Sequence, residues 1–419
     1  MSVNQTVQRL LLVCSIISLS AINSIAQKAS GNDSILNELV KDVSFLKKIK
    51  LSGYVHAQFQ HADTAGIKSF AGGDFPAASN NRFSVRRGRL KVAYEGENSQ
   101  YVFQIDATER GVSIKDAYLK FSEPWTKWLS LTAGVFVRPF GYELTYSSSQ
   151  RESPERTRML QTLFPGERDI GGMLSIQPPS KYKAHLLKLD AGVLNGAGLN
   201  LEFDGHKDFF ARLSATESSS EKKLNYRAGV SYYLGGVRQT NDTLYKMNGN
   251  CFATEIDSSE GNHISDRMYL GADAEVSHKF KFGTTLLRGE VIQGTQSGTS
   301  SSNTSFTKAP DKFVYERKFI GAYVYLVQGF FKDKHQLAVK YDFLDPNMDV
   351  KGSEMQPNCK LGSTDLLYHT IGFGYIWNVN KNLKFVAYYD LVKNETASNI
   401  GIAKDLKDNV FTLRAQVKL

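Results

Sequence analysis

The sequence predicts an all-β chain: a transmembrane antiparallel β-barrel of about 16 strands, preceded by a signal peptide and a short N-terminal helix. Three observations predict it. From Leu51 onward apolar residues recur at every second position, the connections between these runs are by turns long and short, and the C-terminal segment alternates to its last residue.

The first residues have the form of a secretory signal. Arg9 supplies a positive charge, Leu10 to Ile22 an apolar core, and Ser24-Ile25-Ala26 the small residues of a cleavage site, so residues 1–26 are expected to be removed and the mature chain to start at Gln27. A spanning helix would need roughly 18 or more apolar residues, which this core does not reach. Over residues 27–50 the spacing changes to that of a helix: Ile35, Leu39, Val43, Leu46 and Ile49 recur among Lys41, Lys47 and Lys48. This leader is expected to be periplasmic, either a self-association element or a segment packed against the barrel end.

The barrel is expected over residues 51–419. Leu51, Gly53, Val55, Ala57 and Phe59 share one parity, against Ser52, Tyr54, His56, Gln58 and Gln60 on the other. The pattern returns in Leu129–Val135, Tyr226–Leu234, Met268–Val276, Phe319–Val327, Leu337–Phe343 and Leu383–Leu391, each with one apolar and one polar face. Runs of this kind place strands at 51–61, 82–95, 99–109, 112–122, 127–138, 168–177, 183–194, 206–215, 224–234, 267–279, 283–294, 315–327, 334–344, 367–378, 382–392 and 408–419. Runs of about ten residues match a tilted strand crossing a bilayer. Long connections (Ala62–Asn81, Pro139–Glu167, Gly235–Asp266, Thr295–Val314, Asp345–Leu366) face short ones (Gly96–Asn98, Glu123–Thr126, Phe280–Phe282, Val379–Lys381), as external loops face periplasmic turns. Only Arg110-Gly111 is short where a long loop is due. Trp125, Trp128, Trp377, Tyr233, Tyr388 and Phe411 lie near strand ends, where amphipathic rings suit the headgroup layer.

In lipid only a closed sheet satisfies its backbone, so the polar parity must face inward, and a barrel of sixteen to eighteen strands leaves an aqueous channel. The inward parity carries Arg87, Arg89, Lys91, Arg138, Arg212, Arg227, Arg288, Lys340, Lys384 and Arg414, together with Asp106, Asp116, Asp190, Asp273, Glu275, Glu290, Asp342 and Asp390. The third long loop, 139–167, holds Arg151, Glu152, Glu155, Arg156 and Arg158 and is expected to fold inward as a constriction. Guanidinium groups donate bidentate bonds to phosphate and carboxylate, so Arg87, Arg89, Arg138, Arg151, Arg156, Arg158, Arg212, Arg227 and Arg288 are the candidate anion contacts. The alternative is that these arginines brace the wall as charge pairs.

The net charge of +9 fits small anionic solutes or outer-membrane lipid as partners, and export argues against nucleic acid. Of three cysteines, Cys251 and Cys359 fall in expected loops, paired or free. No cofactor or metal is implied. The chain has no G-x-S-x-G, no H-E-x-x-H and no phosphate-binding glycine loop, so it is not expected to be an enzyme. A closed or plugged barrel with a binding or structural role, and an outer-membrane barrel enzyme, are the competing readings.

Four motifs in order, Phe83-Ser84-Val85-Arg86-Arg87-Gly88-Arg89-Leu90, Lys115-Asp116-Ala117-Tyr118, Arg138-Pro139-Phe140-Gly141-Tyr142-Glu143 and Arg168-Asp169-Ile170-Gly171, resemble the phosphate-selective porin O and P family, in a Bacteroidota-type variant. The resemblance implies a sixteen-stranded, usually trimeric outer-membrane channel that moves phosphate or polyphosphate along arginine and lysine. It makes Arg87, Arg89, Arg138, Arg151, Arg156 and Arg158 the first anion contacts.

Overall fold

The computed structural model describes residues 32–219, 223–239, 242–256 and 264–419. The expected signal peptide and cleavage site lie outside them. The chain divides into two compact units after Ile49. The first contributes helix α1 (Asn32–Lys47), whose Leu39, Val40, Val43, Phe45 and Leu46 are all exposed.

The second unit is the barrel. Its strands are β1 (Ile49–Ala62), β2 (Asn81–Glu95), β3 (Ser99–Thr108), β4 (Gly111–Ser122), β5 (Leu129–Val137), β6 (Arg168–Ile176), β7 (Leu187–Leu194), β8 (Asp208–Ser219) and β9 (Leu224–Arg238). After a hairpin of β10 (Thr243–Asn248) and β11 (Cys251–Ile256) come β12 (Ile264–Lys279), β13 (Thr284–Gly298), β14 (Val314–Phe330), β15 (His335–Asp345), β16 (Tyr368–Asn378), β17 (Leu383–Asn394) and β18 (Val410–Lys418). Each barrel strand pairs antiparallel with its neighbour in sequence, β9 runs directly into β12, and β1 closes on β18 from Tyr54↔Lys418 to Ala62↔Val410. The wall is therefore a closed ring of sixteen strands. Closure removes the free edge that an open sheet would present to lipid.

The outward faces are apolar, as a transmembrane barrel requires: Leu131, Leu213, Val230, Leu270 and Leu326 all stand exposed. The short β3–β4 connection is a tight turn, and Gly111 takes a φ of 124°, which a side chain would strain. A register shift between Gln104 and Ile105 leaves Lys115 as the extra residue of a β-bulge in β4.

Four expectations change. Tyr233 and Tyr388, expected in the headgroup layer, are buried in the interior clusters. The run at 183–194 is a strand only from Leu187, because Lys183–Leu186 forms a 3-10 turn. The expected loop Gly235–Asp266 contains the β10–β11 hairpin, whose first strand adds in parallel to β14 at Leu244↔Val314. The Phe319–Val327 parity is not a lipid face: Phe319, Tyr323, Tyr325 and Val327 are buried inside, while Val324 and Leu326 face out.

The reason for that inward apolar wall is the β5–β6 loop. Its Phe140, Leu144, Met159, Leu160, Leu163 and Phe164 form one buried cluster with Phe210, Tyr233, Tyr269, Ile292, Phe319, Tyr323, Tyr325 and Leu344 from β8 to β15. Burying such a side chain stabilises by roughly 1.5–3 kcal/mol, so half the lumen wall acts as a socket for the loop. Two glycines make the approach possible. A Cβ on Gly271 would lie 2.9 Å from the Phe140 ring, and one on Gly321 would lie 2.7 Å from the Met159 sulfur.

Candidate functional site in the lumen

The β5–β6 loop leaves the wall at Arg138 and returns at Arg168. Its first turn is fixed by Glu290 on β13, whose carboxylate accepts the backbone N–H groups of Tyr142 (3.2 Å) and Glu143 (3.1 Å) and the Tyr323 hydroxyl (3.0 Å). Glu143 in turn accepts the N–H (3.1 Å) and hydroxyl (2.8 Å) of Thr157, which precedes helix α2 (Arg158–Leu163). A carboxylate at that end satisfies donors the helix cannot.

The opposite flank of the loop meets a basic wall. Glu155 accepts from Arg86 (2.8 and 3.0 Å) and Arg87 (3.1 and 2.7 Å) on β2, and from Arg414 (3.0 Å) on β18. Burial would raise this carboxyl, but the three guanidinium groups outweigh burial and hold it well below the usual carboxylate range. Arg414 also donates to the Pro154 carbonyl at 2.7 Å. Next to these, Tyr54 on β1 shares a hydrogen bond with Ser148 at 2.5 Å, and Gln416 on β18 donates to the Ser149 carbonyl at 3.0 Å. The loop thus spans the first, second and last strands.

The nine candidate arginines sort into two groups. Arg87 pairs with Glu155 (2.7 Å), Arg89 with Asp106 (3.3 Å), Arg138 with Asp169 (2.9 Å), Arg158 with Asp408 (3.6 Å), Arg212 with Asp273 (2.6 Å) and Arg227 with Glu275 (3.4 Å). Arg288 bridges Glu152 (3.1 Å) and Glu275 (2.6 Å), and Arg156 pairs with Glu167 while donating to the carbonyls of Glu143, Leu144 and Tyr146. Arg151 differs. It is 3 % exposed, and none of its three guanidinium nitrogens has a hydrogen-bond partner among the described residues. Burial and the nearby Arg87 push its pKa down to about 10, so it keeps its charge at neutral pH.

Several groups in the lumen escape a reading by parity. Arg86 and Arg87 both reach Glu155, because the burial pattern of β2 changes phase between them. Lys115 and Asp116 both face the lumen through the bulge in β4. Phe70, from the β1–β2 loop, and Tyr368, the first residue of β16, enclose Arg158 at 4.5 and 3.7 Å from positions distant in sequence.

Cavities lie along the lumen. At the long-loop end a chamber of about 690 Å³ is walled by five loops. It shares Ser69, Phe70, Arg158 and Asp408 with a narrow neck of about 30 Å³ that also touches Glu155, Arg156, Lys340 and Asp390. A basic chamber of about 290 Å³ is lined by Arg86, Arg87, Arg89 and Lys115. At the short-turn end a vestibule of about 390 Å³ is lined by Arg151, Arg227, Arg288 and Lys384.

A closed barrel of sixteen strands, apolar outside and charged within, with a loop seated across its lumen, defines the porin type of transmembrane barrel. No described protein family matches the sequence, and no curated protein does. Solved structures with this fold include OprB of Pseudomonas putida, at a TM-score of 0.56 and 9 % identity over 90 % of this chain and 96 % of that one. An anion-selective porin from Comamonas acidovorans aligns at 0.53 and 11 % identity over 88 % and 99 % of the two chains. The outer membrane channel DcaP of Acinetobacter baumannii aligns at 0.53 and 12 % identity over 88 % and 97 %. At such identities the likeness is one of fold.

Proposed function

We propose that this chain is an outer-membrane porin that passes small hydrophilic solutes by passive diffusion and prefers anions, phosphate among them. The fold supports the pore. The observation that carries the anion preference is Arg151, a buried cation whose donors meet no protein acceptor, in a lumen where the other candidate arginines face carboxylates. Set in the wall of the vestibule, this unneutralised charge favours an anion entering there through its field. The anion-selective porin of the same fold and the motifs shared with the O and P family point the same way. The N-terminal signal pattern adds cleavage of residues 1–26, and the family resemblance adds a homotrimer.

Reversal potentials in asymmetric potassium chloride test the preference. Wild type should favour chloride, phosphate should compete, and Arg151→Ala should move the reversal potential toward zero. Cation preference in wild type would end the anion reading and leave the pore intact.

The neck of about 30 Å³ and the apolar seating of the loop favour a second reading, a barrel closed at rest. Single-channel recording separates the two: steady ohmic current supports the porin, and silence supports the closed barrel.

A further inference from the structure

Two turns at the short-turn end share a pattern of alternating rings and charges. Lys279-Phe280-Lys281-Phe282 joins β12 to β13, and Phe331-Lys332-Asp333-Lys334 joins β14 to β15. Phe280, Phe282 and Phe331 are 44, 52 and 78 % exposed. The four lysines are exposed as well, and none forms an ion pair among the described residues.

The two turns are held side by side. The Lys332 N–H donates to the Phe282 carbonyl at 3.0 Å. Asp333, the one acid in either turn, accepts the N–H (2.6 Å) and the hydroxyl (2.8 Å) of Thr284. Its carboxylate is thus committed to the neighbouring turn and leaves the ammonium groups unneutralised. Phe331, Lys332 and Asp333 run at φ of 51°, 59° and 67°, a left-handed stretch without a glycine. Bulky residues rarely adopt that conformation, and strain of this kind gathers where a side chain has to be presented in one direction. Here it stands the Phe331 ring outward beside Lys332.

The neighbouring surface says what covers the patch. Leu287 pairs with Leu326 and Leu326 with Val339, an exposed apolar row across β13, β14 and β15 that faces lipid. The phenylalanines carry this wall to its short-turn edge, where rings and ammonium groups meet the headgroup layer, and the short turns of such a barrel face the periplasm. A soluble acidic partner would use the ammonium groups and leave the rings bare. An anionic phospholipid answers both, its phosphate accepting from lysine and its acyl chain lying on the rings.

We infer that these two turns form a binding site for anionic phospholipid in the periplasm-facing leaflet. The site goes beyond the pore and depends on no residue of the lumen.

Trp377 serves as the reporter, because its ring lies 6.3 Å from that of His335, the residue after Lys334. With Trp125→Phe and Trp128→Phe it is the one indole left in the chain. Brominated phosphatidylglycerol or brominated phosphatidylcholine is mixed into phosphatidylcholine vesicles that hold the full chain, and quenching is compared at equal mole fraction. Phosphatidylglycerol should be preferred by roughly fivefold, the attraction one lysine gives at an anionic surface. Lys281→Gln, Lys332→Gln and Lys334→Gln together should bring the ratio to one, and about 1 M salt should do the same to the unsubstituted turns. Lys281→Arg, Lys332→Arg and Lys334→Arg together should keep the preference, which separates lost charge from lost fold. Equal quenching by both lipids with the lysines in place overturns the inference and leaves the porin reading standing. A lipid ratio of one combined with lysine-dependent binding of soluble polyglutamate also overturns it, because the partner would then be an acidic polymer.

Discussion

At the scale of single residues, the lumen is organised by carboxylates that anchor arginines. Glu155 is the extreme case, with three guanidinium groups converging on it. Breaking a buried pair from one side costs about 3–5 kcal/mol, more than most surface pairs contribute. Glu155→Gln is therefore expected to lower stability by that order in urea unfolding of micelle-bound protein. Combining it with Arg87→Met should recover part of the loss. Asp408 gives a pH signature. Its burial, reinforced by Asp405 and Asp63 and opposed by Arg158, lifts its carboxyl to about 6. The folded state then binds the proton more tightly than the unfolded chain, so this contribution is full below the ordinary carboxylate range and is lost as pH rises through about 6. The stability difference between wild type and Asp408→Asn, followed across that window by urea midpoints, should change accordingly. A flat difference would mean that Asp408 is solvated.

Among the elements, what the sequence shows and what it hides divide on physical grounds. Strands with one face in lipid announce themselves, because period two is enforced along their whole length, and the inward arginines of β8, β9 and β13 follow directly. The inward apolar side of β14 is hidden, since only the loop that covers it explains it. Partners such as Arg414 and Glu155 are far apart in the chain, so no local pattern pairs them. The β10–β11 hairpin escapes because its strands are six residues each and lie outside the wall. A disulfide between Cys251 and Cys359, 108 residues apart, fastens that hairpin to the β15–β16 loop. Closing a loop of this length restricts the unfolded chain by about 4–5 kcal/mol in the chain-entropy view. Replacing both cysteines with alanine should expose 242–256 to limited proteolysis while leaving the barrel's resistance intact. Equal protection with and without the disulfide would show that the packing of Tyr245, Phe252 and Tyr315 suffices.

For the whole molecule, the decisive property is an inverted surface: greasy outside, charged within. Val230 stands in the middle of β9, 52 % exposed. Val230→Arg should cost about 2–4 kcal/mol if that position lies near the bilayer midplane, and almost nothing on a water-exposed wall. Folding yields into liposomes measure the difference.

The way the β5–β6 loop straddles β1, β2 and β18 also constrains the order of events during assembly. Ser148, Ser149, Pro154 and Glu155 find partners on β1, β2 and β18, where the two ends of the chain meet. Until that seam zips, Glu155 has one wall of its cradle and lacks the other. This end of the loop therefore completes its contacts only in the closed barrel, where it works as a latch across the junction at which an unfinished barrel would split open.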